Sequence, residues 1–196
     1  MIPSGESATE AFPLPLTLQQ KLQETGTEAT ATILVVSVKD QTLQRLDRAI
    51  TAEQSDRQLP CYRGSSNYVI STSRFGVGQV KDSNRTPLGL HRIAQKIGDG
   101  QPLGTVFRGR QPVGLLSEGM PEGGICHRIL WLEGLEPGWN RGGDVDTFER
   151  YIYIHGFHDE TTMGRPTSLG CIHMFATDLL PLFDSVAEGT LVWIEP

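Results

Sequence analysis

Residues 168–174 read SLGCIHM, and residues 151–156 just upstream read YIYIHG. The large residues of the upstream run alternate, which is typical of a central strand whose end delivers His155. A cysteine that directly follows a glycine, with a histidine on a preceding strand, is a plausible nucleophile with its base, because cysteine attacks only as the thiolate. We therefore predict Cys171 as the nucleophile and His155 as the general base.

The glycine before Cys171 allows the backbone to bend sharply. We predict that the backbone at Leu169, Gly170 and Cys171 faces a developing oxyanion. An activated Cys171 should also react with a mild electrophile faster than the other two cysteines at neutral pH. Cys61 and Cys126 are interpreted as structural thiols, because neither follows a Ser-x-Gly run.

The runs IHG at residues 154–156 and MGRPTSLGCIHM at residues 163–174 resemble the signature of the L,D-transpeptidase catalytic domain (YkuD-like) family. That signature is a histidine-glycine pair, a loop, then serine-histidine-glycine-cysteine, an aliphatic residue and usually arginine. Three upstream segments add to the resemblance: residues 68–75 (YVISTSRF), 86–89 (TPLG) and 128–150. The resemblance covers roughly residues 32–196 and indicates a branch without a signal peptide.

This resemblance implies an enzyme, without a cofactor, whose partner is a muropeptide or a peptidoglycan tetrapeptide stem. The cysteine would attack the carbonyl of the third-position diamino acid and expel the terminal D-alanine, leaving a thioester. Water as the acceptor gives a tripeptide (L,D-carboxypeptidase), whereas an amine from a second stem gives a 3-3 cross-link (L,D-transpeptidase). In the family a backbone carbonyl next to the histidine often fixes its tautomer, which places Gly156 in the catalytic set.

Two positions depart from the family pattern. Leu169 stands where the family usually has histidine, so any contact made by that imidazole is absent. His173 stands where the family usually has arginine, and it would bind a substrate carboxylate only when protonated, because its reference pKa is about 6.5. We expect retained activity, and the rival hypothesis is a catalytically inactive muropeptide-binding module.

Substrate binding is assigned to four residues in and beside the motif: His173, Ser168, Arg165 and Tyr153. Arg165 could meet a substrate carboxylate in a bidentate pair, and a surface arginine is an equally good interpretation. Tyr153 could line the cleft, although a packed strand aromatic is the commoner outcome.

A zinc site is a further alternative, raised by four residues that lie close in sequence: His155, His158, Cys171 and His173. Structural zinc sites favour paired spacings such as Cys-x-x-Cys, which this sequence lacks, so we expect no metal. We interpret His158 as a solvent-facing loop residue. Asp159 and Glu160 are interpreted as solvated loop residues rather than members of a triad.

The composition bounds the class of protein. The chain has 196 residues and a formal net charge of −6, without a lysine- or arginine-rich run, which argues against nucleic acid as a partner. The first residues lack the pattern of a secretory signal, and no stretch of about 20 apolar residues could span a bilayer. Three cysteines fit no disulfide framework. We expect a cytoplasmic protein, or a periplasmic one if the natural N-terminus is missing, and in the cytoplasm hydrolysis of recycled muropeptides is favoured.

Short β-branched and aromatic runs bounded by glycine, proline and asparagine dominate the chain. Strands are predicted at residues 32–38, 42–46, 68–72, 90–94, 105–108, 126–132, 151–154 and 190–194. The fold class is therefore mostly β, a YkuD-like β-sandwich or barrel of short strands.

Two helices complete the prediction. The helix after the cysteine has Thr177 as its N-cap and Gly189 at its end, with four apolar residues on one face: Leu179, Leu182, Phe183 and Val186. A short helix at residues 14–24, stopped by Gly26, packs on the outside of the main domain. It belongs to an N-terminal extension (1–30) that precedes the catalytic domain (31–196).

Overall fold

The computed structural model describes residues 10–49, 60–119 and 124–196. Two α-helices lie in these ranges, α1 (Leu16–Thr25) and α2 (Ala176–Ser185). The strands are β1 (Phe12–Pro13), β2 (Thr32–Ser37), β3 (Thr42–Arg48), β4 (Cys61–Ser71), β5 (Gly89–Ile97), β6 (Thr105–Arg108), β7 (Gln111–Leu115), β8 (Ile125–Gly134), β9 (Tyr153–Phe157), β10 (Ile172–Met174) and β11 (Leu191–Glu195). The division into 1–30 and 31–196 stays a prediction, and residues 1–9 of the lead-in lie outside the described residues.

Eight of the described strands form a closed ring. Their order is β5, β11, β2, β3, β4, β10, β9 and β8, and β8 pairs back to β5. Strand β1 pairs with β4, and the β6–β7 hairpin pairs with β8 through β6. Closure pairs the backbone groups that an open sheet edge would leave unsatisfied. The mostly β sandwich or barrel is therefore confirmed, with β7 as a strand that the sequence did not predict.

The side chains of β8, β9 and β10 alternate between two faces of the sheet. Inner-face residues join the main core together with α2; they include Leu130, Ile154, Ile172, Leu179 and Phe183. The outer face carries a second cluster of Phe107, Ile129, Trp131 and Tyr153, and Cys171 packs against it. The main core thus anchors these strands from behind, while their outer face presents the predicted nucleophile and base.

Helix α1 packs its leucines on the barrel, as predicted. Leu18 and Leu22 are buried in a third cluster, which includes Tyr62 and Trp193. Gly26 follows the helix in the left-handed conformation, with a φ of 62°, and is the predicted stop. No helix in the described ranges is long and apolar enough to cross a membrane.

Helix α2 differs from its prediction at both ends. Its N-cap position is Phe175, so Thr177 lies inside the first turn and is not the cap. The N–H of Ala176 donates to Glu160 Oε1 at 2.7 Å. Glu160 is therefore a helix-capping carboxylate rather than a solvated loop residue, since the loop before β10 brings it to the helix. The helix also ends four residues before Gly189, the predicted stop.

Strand β9 is shifted from the predicted range 151–154. Tyr151 lies outside the strand, in the left-handed region with a φ of 56°, and half of its surface is exposed. His155 is the third of the five residues in β9 rather than the residue after the end of the strand. The imidazole therefore stands on a paired segment, which limits its movement.

Candidate active site

Strands β9 and β10 run parallel and bring the two predicted catalytic residues to one face. His173 lies opposite His155 in the register, and Ile172 lies opposite Ile154. Cys171 directly precedes β10, and continuation of the register places it beside Tyr153. Because side chains two residues apart share a face, Cys171 and His155 are diagonal neighbours on adjacent strands.

His155 is a buried imidazole with a defined tautomer. Only 3% of its surface is exposed, and its Nδ1 lies 2.8 Å from the Gly156 carbonyl oxygen, the acceptor that the sequence predicted. A carbonyl oxygen only accepts, so Nδ1 carries the proton and Nε2 carries the lone pair. Burial lowers the pKa of His155 to about 4, against the opposing effect of the Gly156 carbonyl. The ring is therefore neutral at neutral pH and can accept a proton.

Strands β8 and β9 approach each other so closely at Gly156 that a side chain there would collide with β8. The ladder between β8 and β9 is irregular between Cys126 and Ile129, and His127 within this bulge has a φ of 70°. A Cβ at Gly156 would lie 2.4 Å from His127 Cδ2 and 2.7 Å from the Cys126 carbonyl oxygen. The glycine thus supplies the acceptor for His155 and the space for His127.

Cys171 is half-buried and is a free thiol. Its Sγ donates to the Tyr151 carbonyl oxygen at 3.5 Å. Burial raises the pKa of Cys171 to about 11, while a hydrogen bond from the Tyr153 backbone N–H and the positive charge of Arg150 act in the opposite direction. The thiol is therefore protonated in the free protein at neutral pH, whereas the sequence predicts an activated thiolate.

Ser168 orders the turn before the cysteine. Its Oγ donates to the Cys171 carbonyl oxygen at 2.6 Å and accepts the Gly170 N–H at 3.2 Å. Only 2% of Ser168 is exposed, and its hydroxyl holds the turn, so its contact with substrate stays a prediction. The Gly170 N–H is engaged by Ser168, and this geometry does not favour it as an oxyanion donor.

Leu169 is the exposed tip of the same turn. Its side chain is 57% exposed, and with Arg150 and Tyr151 it lines a hollow of about 150 Å³. The leucine therefore places an apolar side chain on the surface two residues before Cys171. A backbone role at an oxyanion stays a prediction for this residue.

Thr86 connects the upstream TPLG segment to the cysteine turn. Its buried hydroxyl accepts the Ser73 N–H at 3.0 Å and donates to the Gly170 carbonyl oxygen at 3.1 Å. Gly170 has a φ of 119°, and a Cβ there would lie 3.3 Å from the Arg85 carbonyl oxygen. The turn is therefore held against a neighbouring segment through a residue that only glycine accommodates without strain.

His173 is buried and neutral. Six per cent of it is exposed, its Nδ1 has no hydrogen-bond partner among the described residues, and its ring stacks on Phe157 at 4.4 Å. Burial, with a smaller contribution from the neighbouring His155 and His158, lowers the pKa of His173 to about 2. Burial disfavours the charge that a contact between His173 and a substrate carboxylate requires, and that contact stays a prediction.

The remaining predicted residues separate into two groups. Tyr153 is buried beside Cys171 on the outer face. Arg165 and His158 lie exposed in the loop between β9 and β10, and no contact joins either side chain to Cys171. The Arg165 guanidinium donates to the Thr161 carbonyl oxygen at 2.9 Å, which fits its surface interpretation.

Within the described ranges, no group of three or more histidine, cysteine, aspartate or glutamate side chains could hold a metal ion. Cys126 is buried, which raises its pKa to about 12. Asp159 accepts the Thr161 N–H and caps a short 3-10 turn.

Two arginines near the cysteine were not predicted as site residues. Arg150 donates to the Gly78 carbonyl oxygen at 3.2 Å and to the Arg85 carbonyl oxygen at 2.6 Å, and its charge acts on the Cys171 thiol. Arg110 lies at the tip of the β6–β7 hairpin and reaches the Tyr153 hydroxyl with Nη1 at 3.4 Å. No local pattern in the sequence relates Arg110 to Cys171.

Comparisons with known proteins agree with this geometry. The model of the L,D-transpeptidase catalytic domain (YkuD) matches residues 32–194. No curated protein matches the sequence significantly. The chain is similar in structure to Bdellovibrio bacteriovorus Bd1075, with 13% identity and a TM-score of 0.54 over 95% of this chain and 54% of that one.

Mycobacterial structures are also similar. An L,D-transpeptidase from Mycobacterium smegmatis has 15% identity and a TM-score of 0.48, over 85% of this chain and 59% of that one. L,D-transpeptidase 3 from Mycobacterium tuberculosis, in complex with a faropenem-derived adduct, has 14% identity and a TM-score of 0.48, over 85% and 60% of the two chains. The chain thus spans less than two thirds of the length of the solved structures it matches.

Proposed function

Because the chain belongs to the L,D-transpeptidase catalytic-domain family, we propose that it performs cysteine-dependent acyl transfer on the tetrapeptide stems of peptidoglycan. The bond cleaved is the L,D bond between the third-position diamino acid and the terminal D-alanine. The first half-reaction releases D-alanine and leaves a thioester between Cys171 and the remaining tripeptide.

The placement of Cys171 and His155 on one face of adjacent parallel segments is the observation that carries this proposal. His155 Nε2 has the lone pair, since Nδ1 donates to Gly156. Nε2 takes the thiol proton as sulfur bonds to the carbonyl carbon, and it returns a proton to the amide nitrogen as the C–N bond breaks. The Gly156 carbonyl orients the base, so no carboxylate is required.

Proton transfer in this site accompanies the attack. A Cys171 pKa of about 11 and a His155 pKa of about 4 favour the neutral pair over a thiolate–imidazolium pair in the free protein. Negative charge that develops on the sulfur is stabilised by the Tyr153 N–H and by Arg150. General-base catalysis therefore fits the site better than a stored thiolate.

We propose water as the acceptor, which makes the protein an L,D-carboxypeptidase of muropeptide recycling, with an amine acceptor as the close alternative. The cysteine site supports both, because the two reactions share the first half. A cytoplasmic location, which we also propose, would supply soluble muropeptides and favour hydrolysis. Three free cysteines support that location, since free thiols persist in a reducing compartment.

Product analysis tests the proposal. Purified protein is incubated with a tetrapeptide muropeptide, with and without a second stem that carries a free amine, and the products are weighed by mass spectrometry. Hydrolysis predicts D-alanine and a tripeptide in both reactions. A cross-linked dimer without tripeptide would overturn the preference for water.

A non-catalytic muropeptide-binding module is the second candidate function. It is supported by the protonated thiol of Cys171 and by the replacement of two polar family residues with Leu169 and a neutral His173. This candidate predicts that muropeptide binds without release of D-alanine. It also predicts that the Cys171→Ala substitution has no effect on turnover.

A further inference from the structure

Arg110 occupies a strained position at the tip of the β6–β7 hairpin. Arg108 pairs with Gln111, so the loop consists of Gly109 and Arg110 alone, with φ values of 55° and 68°. Two left-handed residues make a primed turn, where glycine or asparagine is favoured at both positions. An arginine there adopts a conformation that its Cβ disfavours, and such outliers are concentrated at functional positions.

Aromatic rings hold the Arg110 guanidinium in place. Its Cζ lies 4.6 Å from the centroid of the Trp131 ring and 5.1 Å from that of Tyr151. Its Nη1 reaches the Tyr153 hydroxyl at 3.4 Å. Cation–π contacts of this kind hold the charge by the faces of the rings and leave the edge donors of the guanidinium available.

These same aromatic residues border the nucleophile. The Cys171 thiol donates to the Tyr151 carbonyl oxygen, and the Tyr153 N–H donates back to Sγ. Trp131 belongs to the cluster against which Cys171 packs. Arg110 therefore lies over the aromatic cluster against which Cys171 packs.

The charge of Arg110 is not neutralised within the protein. Among the described residues, no carboxylate forms an ion pair with it. Arg150, the other arginine near the thiol, donates hydrogen bonds to the carbonyl oxygens of Gly78 and Arg85. His173, at the position of the family's arginine, is neutral. Arg110 is thus a cation beside the site with donors left for an external anion.

We propose that Arg110 is the carboxylate-binding residue for the substrate, an inference that rests on the proposed function. A planar guanidinium with free edge donors matches a carboxylate in a bidentate pair. The tetrapeptide offers two such groups near the scissile carbonyl: the C-terminal carboxylate of D-alanine and, where the third residue is a diamino diacid, its side-chain carboxylate. Both groups are carboxylates, so substrates that lack one or the other are needed to show which of them Arg110 binds.

Three substrates and three variants test this assignment. The substrates are a diamino-diacid tetrapeptide, its C-terminal amide, and the analogue with lysine at the third position. Arg110→Asn removes the charge with a residue that tolerates the left-handed turn, and Arg110→Lys keeps the charge without the bidentate fork. Arg108→Gln is the matched control, since Arg108 is an exposed arginine two residues away. Circular dichroism and thermal unfolding verify that each variant is folded.

The wild type is expected to lose about 10-fold to 100-fold in kcat/KM when the recognised carboxylate is removed, mainly through KM. Arg110→Asn should show a similar decrease in kcat/KM on the intact substrate. Its kcat/KM should be the same for the intact substrate and for the analogue that lacks the recognised carboxylate. Arg110→Lys should be intermediate, and Arg108→Gln should discriminate as the wild type does. Loss of discrimination against the amide identifies the D-alanine carboxylate, and loss against the lysine analogue identifies the side-chain carboxylate.

Retention of full discrimination by Arg110→Asn in both comparisons would overturn the assignment to Arg110. Absence of D-alanine release by the wild type from every substrate would instead reject the proposed function. In that event, equilibrium binding of the tetrapeptide and its amide to the wild type and to Arg110→Asn decides on the carboxylate contact separately. Equal affinities for both ligands in both proteins would then overturn it.

Discussion

His155 Nδ1 lies 2.8 Å from the carbonyl oxygen of the next residue, Gly156. This contact between sequence neighbours leaves Nε2 as the basic nitrogen and holds the ring on a buried strand. It explains the histidine-glycine pair physically, because the same glycine lacks the Cβ that would collide with His127. The tautomer and orientation of the base are therefore set locally, without help from an acidic residue.

The pH dependence of D-alanine release follows from this contact. Because His155 must be neutral to accept the thiol proton, kcat/KM should be level around neutral pH and should fall as the pH approaches about 4. His155→Gln should lower kcat by about 10²-fold to 10⁴-fold, and His158→Gln, in the exposed loop, is the control with near-normal activity. An acid limb centred near the reference value of about 6.5 would contradict the buried, neutral state of His155.

Alkylation of the thiols provides a second prediction. Burial raises the pKa of Cys171 to about 11, so in the free protein iodoacetamide should modify it more slowly than Cys61 at neutral pH. The rate at Cys171 should increase steeply as the pH is raised toward that value. Peptide mass mapping after timed quenching measures both thiols in one sample. Faster modification of Cys171 than of Cys61 at neutral pH would indicate a stored thiolate.

The difference between sequence and structure is clearest at this thiol. The motif alone predicts an activated cysteine, because Ser-x-Gly-Cys and a nearby histidine are visible in the chain, whereas burial of the sulfur is not. The same holds for His173. The sequence shows that a histidine stands at this position, but its neutral state depends on packing against Phe157 and His155, which the sequence does not show. Ser168 was assigned to substrate because an exposed and a buried hydroxyl look identical in sequence.

The motif alone predicts Cys171 and His155, since both lie in short adjacent runs, and the family resemblance adds the Gly156 acceptor, whose contact with His155 the structure contains. Short strands bounded by glycine, proline and asparagine also predicted the mostly β sandwich or barrel. Arg110 could not be found in this way. It reaches the site from a hairpin more than 60 residues before Cys171, and only the pairing of β6 with β8 brings them together.

Acid should destabilise the fold through four buried histidines, His91, His127, His155 and His173, because burial lowers the pKa of each. The pKa values of His91 and His155 are lowered to about 4 and that of His173 to about 2, mainly by burial. Since these folded values lie below the unfolded value, the unfolded chain binds more protons as the pH falls. Each histidine should remove about 1.4 kcal/mol of unfolding free energy per pH unit between about pH 6.5 and its folded pKa.

Urea unfolding at several pH values below neutral measures this slope. His91→Gln removes one buried histidine, which lies outside the proposed site, and should make the slope shallower by about 1.4 kcal/mol per pH unit. His158→Gln is the surface control and should leave the slope unchanged. A free energy of unfolding that stays level over this acid range would contradict the buried, neutral histidines.

Thr86 tests the connection between the TPLG segment and the cysteine turn. Thr86→Val removes the hydroxyl that accepts the Ser73 N–H and donates to the Gly170 carbonyl, leaving buried polar groups without partners. The expected loss is about 1–3 kcal/mol of stability, together with a lower kcat because the turn is less well positioned. Thr86→Ser keeps the hydroxyl and should retain most of both. Equal stability and kcat in the two variants would show that this hydroxyl does not hold the turn.

The most direct test of the account is the mass of the enzyme quenched in acid during turnover of a tetrapeptide muropeptide. We predict a covalent adduct equal to the tripeptide muropeptide acyl group, located by peptide mapping on Cys171, with one D-alanine released for each adduct formed. Cys171→Ala should form no adduct and release no D-alanine. Cys61→Ala, the control, should form the adduct and release D-alanine as the wild type does. Release of D-alanine by Cys171→Ala at the wild-type rate, or an adduct on another residue, would contradict the assignment of Cys171 as the nucleophile.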